Sequence, residues 1–268
     1  MYSWYLDTTA ENWGGFISDD YSTIYPISYT NKIGIKQLSQ APFTREFDVV
    51  GDEFSFNDIL PKIKSLFKNI QVRSTQNYDL NQTERVHQLL NLNEAYSCNY
   101  SKNAKRLIKK SNKNYTFKVI ECINELMTLV EDNVAHKIKE FTPQNISKLK
   151  QLMKNASNNN KGETIAVFEN EIIVAAGFFL KDKSSITYLK GASTDDAKKN
   201  GAMYGLMDFA FSVYDKSYTT FDFGGSDIES VATFYKKFGA IDKKYYEYTI
   251  NNLPLWFKLL KKLIKKSN

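Results

Sequence analysis

Histidine and cysteine are scarce in this chain of 268 residues, with two of each. His87 and His136 lie far apart, with no cysteine or acid at ligand spacing, so the pattern offers no metal site. Cys98 and Cys122 have neither CxxC spacing nor the density of a secreted disulfide scaffold, and read as reduced structural thiols. The same scarcity leaves no Ser-His-Asp or Cys-His nucleophile to argue for. No apolar run approaches the ~18 residues of a membrane span. The opening residues, with Trp4, Tyr5 and Asp7, lack the charged and apolar segments of a signal peptide, so a cytoplasmic location is expected. Acids are missing from residues 255–268, which hold five of the 36 basic residues; the rest nearly balance the 30 acids. Apart from a second basic cluster near 102–118, charge is therefore mixed, which disfavours a protein that coats nucleic acid uniformly.

What is present suits packed α/β domains. The length allows one large domain or two of ordinary size. Trp13 to Ser18, Ser22 to Tyr29 and Ile33 to Gln40 read as strands parted by Asp19-Asp20 and Asn31-Lys32, with Pro26 marking an edge or irregular position. A helix is predicted over 56–68, then strands over 69–76 and 84–92. A helix over 94–112 carries Lys102, Lys105, Arg106, Lys109 and Lys110 without an acid, with Lys102, Arg106 and Lys109 on one face. That face is either solvated or a surface for a phosphate-bearing ligand.

From residue 115 the predicted order is strand (115–121), helices (123–140, 143–157), strands (163–168, 171–181, 184–192), helix (196–214), strand (219–223), helix (228–238) and strand (243–250). Glu169-Asn170-Glu171 makes the tight turn of the central hairpin, and Asn158-Asn159-Asn160 is a loop within the domain. In TTFDFGGSDIESVATFYKKFGAI (219–241), a β-branched and aromatic strand ends abruptly at Gly224-Gly225. Ser226 or Asp227 then caps a helix that Gly239 stops.

The string FDFGGS followed by FYKKFGA resembles the closing motif of the FemABX-like acyltransferases, bacterial proteins built from two GNAT (Gcn5-related N-acetyltransferase) domains. YSKNAKRLIKK at 100–110, TYLKGAS at 187–193 and the opening WYLDTTAENW are similar to further family segments, so the resemblance covers nearly the whole chain. It implies an α/β (α+β) fold of two tandem GNAT-like domains, mixed sheets flanked by helices. The expected division is an N-terminal domain over 1–93, a connecting basic helix over 94–114, a C-terminal domain over 115–252 and a basic amphipathic helix over 253–268. The element order from 115 onward follows from periodicity alone and matches a complete GNAT domain. The long helical arm of some family members is expected to be absent.

The resemblance implies an activated acyl donor between the strands at 184–192 and 219–223, with Lys190, Gly191, Lys198, Gly201 and Ala202 as donor-binding candidates. The family's helix-start signature ends in a small residue where this chain has Met203, which departs from standard acetyl-CoA binding. Asp222 either orients the acceptor amine or accepts hydrogen bonds from the glycine turn. The resemblance places Phe234 and Tyr235 where the family has a phenylalanine and a lysine implicated in donor stabilisation, with Lys236 one residue late. Tyr235 and Lys236 join Asp222 as catalytic candidates, the alternatives being a core-edge tyrosine and a surface lysine. Tyr188, Gly224, Gly225, Ser226, Lys102 and Arg106 are substrate-binding candidates, with Tyr188 and Lys190 expected on one strand face.

The expected activity is N-acyl transfer to an amine-bearing metabolite or cell-envelope precursor, without a metal or a tightly bound cofactor, using acyl-CoA as co-substrate. One alternative uses aminoacyl-tRNA to extend a peptidoglycan peptide; another is a non-catalytic peripheral protein with a decayed cleft. In the tail, LPLWFKLLKKLIKKSN, Trp256, Leu259, Leu260 and Leu263 form an apolar stripe flanked by lysines. Docking of that stripe on the protein is expected, the alternative being peripheral contact with an anionic membrane.

Overall fold

The computed structural model describes residues 2–78, 80–92, 95–134, 141–225 and 228–259. Ser226, His136, the expected end of the helix at 123–140 and the last residues of the tail lie outside them.

Two compact units divide the chain: Ala10–Arg85 with Lys244–Asn268, and Met1–Thr9 with Val86–Lys243. The expected boundaries at 93 and 114 therefore do not mark the units. The division falls inside two strands, and the later residues of the last one, Tyr246–Asn251, pair with Asn69–Ser74 of the first unit.

In the first unit, β1 (Asn12–Ile17), β2 (Ile24–Lys32), β3 (Ile35–Ser39) and β4 (Asn69–Ser74) are neighbours in that order. The helix α1 (Ser3–Thr9), which precedes β1 in sequence, belongs to the second unit, whereas α2 (Phe56–Leu66) lies between β3 and β4. β4 pairs antiparallel with Tyr246–Asn251, residue Tyr248 opposite Val72. Pro26 sits opposite Gly15 of β1, while β3 pairs only from Tyr29 onward, so its missing N–H faces a side without a strand there. The core is aromatic: Phe56 stacks on Tyr78 at 4.3 Å, and Tyr78 N–H donates to the Tyr248 hydroxyl at 2.9 Å. Glu247 is held between Arg73 (2.5 Å) and Arg85 (3.2 Å).

The second unit contains β5 (Gln82–Asn91) from Val86 onward, α3 (Lys102–Asn114), β6 (Thr116–Ile120), α4 (Ile123–Asn133) and α5 (Pro143–Asn158). Then come β7 (Gly162–Glu169), β8 (Ile172–Lys181), β9 (Ser185–Ser193), α6 (Asp195–Lys199), α7 (Ala202–Tyr214), β10 (Thr220–Asp222), α8 (Glu229–Lys236) and the start of β11 (Ile241–Asn251). Its sheet runs β5-β10-β9-β8-β7-β6. The β7–β8 connection is tight, as expected, but Glu169 belongs to β7 and the turn is Asn170-Glu171, both at positive φ.

Three local expectations are corrected and one element is added. The helix expected from 94 starts at Lys102, after a 3-10 turn at Tyr96–Asn99, because the Ser101 hydroxyl caps it by accepting from Ala104 N–H. It is no connector either: Ala104, Ile108 and Ser111 are buried, and Tyr100 donates to Asp208 of α7 at 2.9 Å. The helix expected over 196–214 breaks in two at Gly201, whose φ of +86° no helix continues through. The unforeseen α1 packs on α5, where Asn155 donates to Thr8 at 2.8 Å and Lys148 to the Thr9 carbonyl at 2.9 Å.

Candidate active site

The site forms where β9 and β10 part. These strands are parallel and paired for three residues only, ending at Thr187 opposite Asp222, while β9 continues to Ser193. β10 stops because Phe223 leads into Gly224 and Gly225, both at φ +77°. A side chain at Gly224 would stand 2.9 Å from the Tyr188 carbonyl, and one at Gly225 would stand 3.0 Å from His87 Cβ. Both positions therefore need glycine for conformation and for space. Gly224, just past the end of β10, is exposed.

A bulge shapes the same stretch of β9. Across from β8, Tyr188 faces Phe179 and Lys190 faces Phe178, leaving Leu189 as the extra residue. Cross-strand partners share a face, and Phe178 and Phe179 point oppositely. Tyr188 and Lys190 therefore lie on opposite faces, which corrects the expectation from simple alternation. The Tyr188 ring joins the α7 side, 5.5 Å from Phe179 and 6.5 Å edge-on from Tyr235. Its hydroxyl covers Gly191, where any Cβ would overlap it. Lys190 reaches the other side, its ammonium 4.4 Å from the centre of the Phe141 ring. Burial pulls that ammonium down to about 8.

Asp222 is buried at the end of β10. Its Oδ1 accepts from Gly224 N–H at 2.8 Å and lies 3.5 Å from His87 Nδ1. The bond to the glycine turn is one of the two roles expected for this carboxylate. Tyr235 stacks on Phe223 at 4.5 Å. Burial raises its hydroxyl well above the ordinary tyrosine range, and the Asp222 charge adds to this. Burial does the same for Tyr188, with Tyr235 adding to it. Both phenols are therefore neutral proton donors at physiological pH.

Tyr188, Asp222, Gly224, Gly225 and Tyr235 thus come together, with Lys190 and Gly191 on the same bulged strand. His87 is the residue that sequence reasoning missed as part of this group; it lies 135 positions from Asp222 and carries no local signature. Lys236 stands apart: it is exposed and paired with Asp242 at 2.6 Å, a carboxylate that also accepts from Gln88 at 3.0 Å. Lys198 is exposed on α6. Gly201 opens α7, but its free side is taken by α3, since a Cβ there would lie 3.0 Å from the Leu107 carbonyl. Ala202 is fully buried, and Met203 packs against the core. Lys102 and Arg106 are exposed on α3, Arg106 donating to Asn103 at 3.0 Å. Beside them Cys98, Tyr100, Lys105, Lys109, Asn112 and Lys113 line a shallow basic basin. Among the described residues no group of three His, Cys, Asp or Glu could hold a metal ion.

Solved structures similar to this chain share its fold at low identity. FemX aligns with 97% of this chain and 92% of its own length, at a TM-score of 0.64 and 13% identity. L-PGS from Bacillus licheniformis aligns over 96% and 93%, at 0.54 and 14%. A tandem GNAT protein from the clavulanic acid biosynthesis pathway aligns over 94% and 87%, at 0.51 and 7%. No protein-family model and no curated protein matches the sequence. The likeness establishes the fold alone: mixed α/β, as in FemX and the tandem GNAT protein.

Proposed function

We propose that this chain is an N-acyltransferase, moving an acyl group from an activated donor to an amine. The observation that carries the reading is the parting of β9 and β10 beyond Thr187, next to the bulge at Leu189. A donor carbonyl laid along that open stretch of β9 would receive backbone N–H groups, which stabilise the oxyanion formed when the amine attacks. The C–N bond forms as the donor's C–S or C–O bond breaks. Tyr235, kept protonated by burial, is suited to give its proton to the leaving group. Lys190, brought down to about 8, is suited to take the proton from the amine on the other face. Asp222 acts as a positioning residue that holds the Gly224-Gly225 turn, with His87 beside it.

Two donors share this chemistry. Acyl-CoA is the simpler, bound along β9 with Lys190 and Gly191 beside its acyl end. Aminoacyl-tRNA is favoured by two observations: α3 takes the close approach that Gly201 offers, and Lys105, Lys109 and Lys113 line a basic basin. The amine belongs to a metabolite or a cell-envelope precursor. The test is transfer of a labelled acyl group to an amine panel, from acetyl-CoA and from charged tRNA in parallel. The wild type should transfer from one donor, with Tyr235→Phe and Lys190→Met each slower on the order of 100-fold. Unchanged rates in both variants would refute the assigned roles. No transfer from any donor would favour the decayed, non-catalytic reading.

A further inference from the structure

The tail docks by a different face from the one its sequence advertises. Leu253 and Phe257 are buried against Ile35, with Phe257 only 3% exposed. Trp256, placed in the docking stripe by sequence, is 53% exposed, Leu259 is 61% exposed and Leu255 78%. At about 100° per residue these three share one helical arc, roughly opposite Phe257. One side of the helix is thus anchored while a second apolar side stands in solvent. The β2–β3 turn just before Ile35 also exposes Ile33, at 69%, between the exposed Lys32 and Lys36.

We infer that this tail face is a docking surface for an anionic lipid bilayer. Charge selects the occupant. Residues 248–268 contain five lysines and no acid, so a second copy would bring like charge against like charge. An anionic headgroup layer complements the lysines, and a half-exposed tryptophan flanked by leucines suits the boundary between headgroups and acyl chains. Phe257 fixes the helix so that Leu255, Trp256 and Leu259 face outward together. The inference stands apart from the acyl-transfer reading, because it uses no residue of the β9–β10 site.

The experiment is sedimentation of the full chain with vesicles of phosphatidylcholine, alone or mixed with phosphatidylglycerol. The comparison is a variant carrying Leu255→Ser, Trp256→Ser and Leu259→Ser. Phe257 is retained, and an unchanged thermal unfolding curve confirms that the fold is kept. The wild type should pellet with the anionic vesicles only and be released by salt. The variant should partition roughly tenfold or more weakly. Wild-type protein remaining in the supernatant with anionic vesicles would overturn the inference. So would equal pelleting of the variant, or a wild-type dimer in light scattering that the variant loses without any vesicle binding.

Discussion

Replacing Lys190 by methionine should stabilise the protein at neutral pH. The ammonium is held among apolar groups and displaced from an ordinary 10.5 to about 8. At about 1.4 kcal/mol per decade of proton affinity, keeping it charged costs the folded state up to roughly 3 kcal/mol. Its contact with Phe141, 4.4 Å from the ring centre, returns about 1 kcal/mol that the variant forfeits. Methionine fills much the same space without the charge, so a net gain of about 1–2 kcal/mol is expected. The sign with pH follows from linkage. Below about 8 both folded and unfolded chains carry the proton, and the penalty is constant. Between about 8 and 10.5 the unfolded chain binds a proton that the folded one releases, so wild-type stability rises with pH relative to the variant. Urea unfolding of both proteins across this window measures the difference. A variant less stable than wild type at neutral pH, or a gap that does not shrink as pH rises, would refute the reasoning. The gain in stability should accompany the loss of transfer, the usual tension between a strained functional group and a settled fold.

Glu247→Gln should destabilise the first unit by about 3 kcal/mol in urea unfolding, because Arg73 and Arg85 lose a largely buried partner. Burial alone would raise the Glu247 carboxyl, but the two arginines outweigh it and hold it below 4.5. Its contribution is therefore complete above 4.5 and is lost as pH falls through the lower folded value, a slope that the variant should lack. Gly224→Ala should destabilise by roughly 2 kcal/mol through its φ of +77° and the 2.9 Å approach to the Tyr188 carbonyl. Thermal unfolding checks this, and a neutral substitution would mean that the turn relaxes freely.

Most of the element order was legible because its signals are local. Apolar periodicity marks α4, α5 and α7, and Glu169-Asn170-Glu171 announces the β7–β8 turn, asparagine being a residue that takes positive φ readily. The features that shape the site are not local. Nothing in Tyr188-Leu189-Lys190 marks a bulge, since all three residues suit a regular strand, yet the one-residue shift sends Lys190 to the opposite face. His87 meets Asp222 only because β5 pairs with β10, an antiparallel match across 135 positions. The basic run at 102–110 was visible, but Ala104, Ile108 and Ser111, which fasten it to its unit, are small or isolated within it. In the tail, periodicity picked the strongest apolar arc, whereas the buried side was decided by Ile35, more than two hundred positions away.

Hydrogen–deuterium exchange of the full chain, with and without donor, tests the central claim most directly. Acetyl-CoA and charged tRNA would be added in separate experiments, and exchange followed at residues 188–193, 222–225 and 102–114. The account predicts slowed exchange at 188–193 with the donor the enzyme uses, because the acyl carbonyl engages the stretch of β9 that has left β10. Slowing at 102–114 as well would accompany a donor whose phosphates meet Lys105, Lys109 and Lys113. Donor binding, seen by calorimetry, that leaves exchange at 188–193 unchanged would contradict the account.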